Sequence, residues 1–273
     1  MTAFATPQPI TATLTTAGAQ VRVAASERSD TVVRVEPIDR TNKSHVKVAE
    51  QTKVDFAAGR LSIETKKAGD KDGSVAITVE LPAGSQLVLN TAWSQVRADG
   101  TFGSCELNIA SGRIEVDRVA ALRGQLAAGE VAIGHVAGTA NIEGAAAGVR
   151  IGEVAGLVTY TGSSGPVWIG HARSDVHLTG AGADGFEIDR AEGDVIIKAA
   201  NCPIRIGQLA QGYAELTNAA GGIEVGVVAG VGASVDAEST KGSVRNSVPA
   251  QDSLVKIYAR TRKDDIVIHP AAV

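Results

Sequence analysis

A short aliphatic phrase recurs along this chain at nearly constant spacing, and that recurrence constrains the fold more than any other feature. "VAIGHVAG" (131–138), "VRIGEVAG" (149–156) and "VWIGHARS" (167–174) are variants of one phrase. Anchored on its second aliphatic, the pattern runs through Ala98, Val116, Ile133, Ile151, Ile169, Ile188, Ile206 and Val225, with Asn246 as a degraded last copy. The intervals are 17 to 19 residues and lengthen to 21 at the end. A period held over so many copies marks a repeat architecture. The residue two before each anchor is also apolar, as in Val149, Val167, Phe186, Ile204 and Ile223. Apolar residues two apart belong to a strand with one face inward.

Glycine follows the anchor at 134, 152, 170, 207 and 226, and Asp117 and Asp189 take that place in two other copies. Both residue types accept sharp corners. A second alternating pair then follows: Ala140/Ile142, Val158/Tyr160, Val176/Leu178 and Val195/Ile197. Returns are short and small, such as "GAAAG" and "GSSG". Helical spacing persists nowhere. The expected fold is all-β: a parallel β-solenoid (β-helix) of about 18 residues per coil, right-handed as most parallel crossovers are. One coil buries about five aliphatics, on the order of 10 kcal/mol. Ordering its backbone costs roughly 18–36 kcal/mol. A coil therefore needs neighbours above and below. Residues 1–273 are read as a single solenoid domain. Less regular strands cap it at 1–90 and 251–273, and 91–250 form the regular coils.

Composition supports a thin aliphatic core, with 44% hydrophobic residues but only 3% aromatic. A net charge of −4 without a basic stripe speaks against nucleic acid. "MTAFATPQPITATLTT" lacks a basic start and an apolar run, and no 18-residue apolar stretch occurs, so no signal peptide or transmembrane segment is expected. Cys105 and Cys202 match no metal or redox spacing and fall six coils apart, so both are expected to remain thiols, as in a cytoplasmic protein.

"ITATLTTAGAQVRVAASERSDTVVRVEP" (10–37), "VAITVELPAGSQLVLNTAWSQVRADG" (75–100) and phrases such as "SGRIEV" resemble a bacterial β-strand-repeat family labelled "putative adhesin", common in actinobacteria. The resemblance covers nearly the whole chain and is most specific at "ELPAGSQLVLNT". It implies a β-helical fold and carries no catalytic or binding residues. Relatives commonly have a membrane anchor, which this chain lacks.

Stacked coils turn sequence period into surface columns about 4.8 Å apart. The column before the anchor reads Arg97, Glu115, Ala132, Arg150, Trp168, Glu187, Arg205, Glu224, Arg245. Alternating charge there fixes register, and Arg150 with Trp168 forms the candidate binding surface. The column two after the anchor contains His135, Glu153 and His171. These are ligand types that zinc accepts. The two histidines stand two layers apart, however, and a solvated ladder is the expected outcome, with no metal. The acidic run Asp184, Glu187, Asp189, Glu192 and Asp194 fits no calcium-loop spacing and reads as a solvated face. His45, His177 and His269 read as exposed singletons. No cofactor is expected.

Together these residues predict a non-enzymatic, adhesin-like or scaffold protein whose flat β faces bind a protein or envelope component. Two alternatives are a β-helical carbohydrate-active enzyme and an envelope-stress regulatory module. Short returns and scarce aromatics disfavour the enzyme.

Overall fold

The computed structural model describes residues 1–65, 70, 73–180, 185–250 and 254–271. Among them are 23 strands and one helix, and strand pairing is mostly parallel in a sheet that does not close on itself. The chain divides into two units, Met1–Ala137 and Gly138–Val273. No helix among the described residues is long and apolar enough to cross a membrane.

The first unit contains β1 (Thr2–Ala5), β2 (Thr11–Ala17), β3 (Ala19–Ser26), β4 (Asp30–Pro37), α1 (Lys43–Gln51) and β5 (Thr52–Ala57). It continues with β6 (Arg60–Thr65), β7 (Val75–Pro82), β8 (Gln86–Ala92), β9 (Ser94–Ile109) and β10 (Gly112–Val136). Two parallel ladders organise it. In one, β2 lies between β6 and β8, pairing Leu14 with both Ile63 and Leu89. In the other, β3 lies between β7 and β9, pairing Val21 with both Ile77 and Val96. Strand β9 bends through Gly100 and Gly103, so its second half joins β8 and pairs Leu107 with Leu89. The first two ladder strands are thus wedged between partners far along the chain.

Antiparallel strands finish the outer edges of this unit: β5 on β6, then β4 on β7 with β1 beyond it. Phe4 of β1 stacks on Phe56 of β5 at 4.8 Å. Helix α1 is a departure from the sequence reading. It starts at Asn42, whose side chain accepts from the Ser44 N–H, a standard N-cap. Only Val48 is buried on it, at 1% exposure, so no apolar period announced it.

The second unit contains β11 (Ala140–Val154), β12 (Val158–Gly162), β13 (Val167–Ala172), β14 (Val176–Gly180), β15 (Phe186–Ala191), β16 (Val195–Ala199) and β17 (Ile204–Leu209). It ends with β18 (Gly212–Asn218), β19 (Ile223–Val227), β20 (Ser234–Ser239), β21 (Val244–Asn246), β22 (Val255–Thr261) and β23 (Ile266–Pro270). Each strand pairs in parallel with the one two further on, which is one sequence period away. Ile151, Ile169, Ile188, Ile206 and Val225 are direct register partners in turn, and each is 0% exposed. Val158, Val176, Val195 and Ala214 form a matching inward column in the second ladder. Complete burial of each aliphatic contributes roughly 1.5–3 kcal/mol.

The period breaks after Val225. Ile268 of β23 follows it in the ladder, and β21 lies outside β23. Likewise β22 lies between β18 and β20. Residues 255–270, read from sequence as a cap beyond the coils, therefore lie inside the ladders, and Asn246 pairs with Ile268 rather than with Val225. Strands β20 and β21 carry no buried residue.

Candidate functional site

In the second unit, the glycines after the anchors stand between two outward rows. The ladder passes over them: pairing runs Ile151 to Ile169, then Glu153 to His171, and omits Gly152 and Gly170. The backbone there approaches its neighbour closely. A Cβ at Gly170 would lie 2.5 Å from the Gly152 carbonyl oxygen, and one at Gly226 would lie 2.0 Å from that of Gly207. Only glycine fits, and its lack of a side chain leaves a trench.

One wall of the trench is the register column Arg150, Trp168, Glu187, Arg205 and Glu224. The Arg150 guanidinium sits 4.4 Å from the Trp168 ring centroid, and Trp168 Nε1 donates to Asp189 at 3.1 Å. The ring edge reaches over Gly170. Trp168 is therefore held at both its face and its N–H. Further along, Arg205 donates to Glu187 at 2.5 Å and lies 3.6 Å from Glu224. The Glu187 carboxylate beside it raises the Arg205 pKa above its usual value. His269, expected as a singleton, has Nε2 3.2 Å from Glu224.

The other wall is Glu153, His171, Arg190 and Gln208. Glu153 and His171 are register neighbours, but their side chains go to different partners. Arg173 holds Glu153 at 2.6 Å. His171 Nε2 reaches Glu192 at 3.1 Å, within ion-pair distance though off hydrogen-bond alignment. Arg190 joins the same Glu192 carboxylate at 2.9 Å. The His171 ring and then the Arg190 guanidinium hold the Glu192 carboxyl below the usual carboxylate range. His135 belongs to β10 in the first unit. Among the described residues no three His, Cys, Asp or Glu side chains converge as metal ligands.

Members of the acidic run are engaged singly: Glu187 by Arg205, Asp189 by Trp168, Glu192 by Arg190, and Asp194 by the Tyr213 N–H at 2.8 Å. Asp184 lies outside the described residues. Beyond Trp168 the trench opens into a groove of about 380 Å³, lined by Asp189, Arg190, Arg205, Gln208, Glu224 and His269. Arginine, histidine, amide and carboxylate groups alternate there over a glycine floor. Such a groove suits an extended polar ligand held by many weak contacts.

A second groove, of about 340 Å³, lies on the first unit and includes Gln20, Arg22, Thr78, Gln95, Arg97 and Arg113. Arg22 and Arg97 are register neighbours that share Asp99, at 3.5 and 2.9 Å. The sequence reading missed it, because Gln20 and Gln95 meet only through the non-local insertion of β3. Nearby, Trp93 is 45% exposed with φ of +51°, at the corner where the neighbouring layer has Gly18. Left-handed backbone is costly for a bulky residue. Cys105 and Cys202 are free, buried thiols, and burial pushes Cys105 up to about 12.

No family model and no curated protein matches the chain. Among solved structures, a "putative cell adhesion protein" from Clostridium sporogenes is similar over 98% of both chains, at 8% identity and a TM-score of 0.18. That likeness is too slight to bear on function.

Proposed function

We propose that the chain is a non-enzymatic, adhesin-like binding or scaffold protein, built as a right-handed parallel β-solenoid of about 18 residues per coil. Its partner is a protein or envelope component engaged along the trench. The supporting observation is the trench itself: a glycine floor between two rows of charged side chains set at strand spacing by the stacked aliphatics beneath. Rigid stacking preorganises those rows, which lowers the ordering cost of binding an extended partner. A cytoplasmic location with peripheral attachment to the envelope belongs to the same proposal.

The test is to titrate the immobilised chain with purified envelope polysaccharide and with solubilised envelope protein. Binding to one of them, weakened about tenfold by Arg205→Ala, supports the proposal. Equal binding by the variant sinks the trench as the site. Release of new reducing ends from the polysaccharide overturns the non-enzymatic reading.

A further inference from the structure

The outermost strands of the Gly138–Val273 unit are unfinished. β20 pairs only with β22 and β21 only with β23, and among the described residues nothing pairs with their other edges. Ala214 and Leu216 of β18 are 0% exposed, whereas the corresponding Val235 and Ala237 of β20 are half-buried and Val244 of β21 is exposed. Free N–H and C=O groups beside partly bare apolar side chains make a template for another strand. The fold can seal such an edge, as β5, β4 and α1 do in the first unit.

Charge indicates what the template accepts. Asp236 and Glu238 on β20 are 69% and 72% exposed, and Arg245 on β21 is 68% exposed. Lys241 is exposed in the corner between the strands. Pairing β20 with another β20 would bring carboxylates together. Pairing β20 with β21 sets acid against base. A twofold axis through the 240–243 corner does this twice, laying β20 of each copy antiparallel on β21 of the other. Such an interface is self-complementary and closes on two chains. Alternation of inward and outward side chains limits the register. It permits Glu238 opposite Arg245 of the second copy, Ala237 opposite Asn246, and Ser239 opposite Val244. Glu238, already 3.6 Å from Arg260 in its own chain, then lies between two guanidinium groups.

We propose that this edge joins two copies of the chain through paired β20–β21 ladders, independently of what the trench binds. Light scattering after size exclusion should give about twice the 27.9 kDa of one chain at tens of micromolar. Glu238→Arg and Arg245→Glu should each weaken the dimer at least about tenfold, and combining them should restore it. Both positions are exposed, so circular dichroism should not change. If a single variant misfolds, salt provides the second test: raising ionic strength should weaken the native dimer. A monomeric native chain overturns the proposal, as do single reversals without effect, a double reversal without rescue, or a dimer indifferent to salt.

Discussion

The two units use the same device and finish it differently. In Met1–Ala137, β2 and β3 are wedged between strands 60 to 109, and the outer edge is then closed by antiparallel strands, α1 and the Phe4–Phe56 stack. In Gly138–Val273, β22 and β23 are wedged between β18/β19 and β20/β21, and the strands outside them stay bare. Insertion holds a layer in place from both sides. It does not hide the last layer, and that task falls to elements of another kind. Parallel stacking alone always leaves an edge.

The largest difference between interior and edge should appear on truncating inward aliphatics. Ile206→Ala, in a fully buried column, should cost about 2–5 kcal/mol, while Val244→Ala at the bare edge should cost less than about 0.5 kcal/mol. Urea unfolding measures both, and equal costs would break the contrast. Below their edges the units should behave alike. Gly226→Ala and Gly112→Ala each drive a Cβ to 2.0–2.1 Å from a neighbouring carbonyl oxygen, and each should cost about 1–3 kcal/mol. A cheap change in only one unit, by the same assay, would show that the two stack differently.

The smallest effect is a gain. Tyr160 is 2% exposed and its hydroxyl has no partner, so Tyr160→Phe should stabilise by up to about 1 kcal/mol. Burial also raises its pKa above the usual 10.0. The native protein binds that proton more tightly than the unfolded chain, so the linked stability is present below pH 10 and lost as pH rises through the folded value. Melting curves from pH 9 to 11 should fall less steeply for the variant.

The inward columns from Ile151 to Val225 were legible because their partners lie one short period apart, and so was the adjacency of Arg150 and Trp168. Partners separated by non-local insertion were not. Val21 meets Val96 and Ile268 meets Val225 at distances no local period search visits, so residues 1–90 and 251–273 passed for caps. Helix α1 hid behind a single buried valine. At the trench, sequence placed Glu153 beside His171 correctly but could not show Arg173 taking the carboxylate. Backbone stacking sets the rows, and side-chain reach decides the pairs.

The wedged strands also set an order of events during synthesis. Residues 234–246 leave the ribosome before 255–270, yet they have no ladder to join until those later residues arrive. The first unit shows the mirror delay, since residues 11–26 wait for 60 to 109. Assembly therefore cannot proceed simply from one coil to the next as the chain emerges. A stall before residue 255 would leave β20 and β21 as stranded, pairing-competent segments, the kind that chaperones bind.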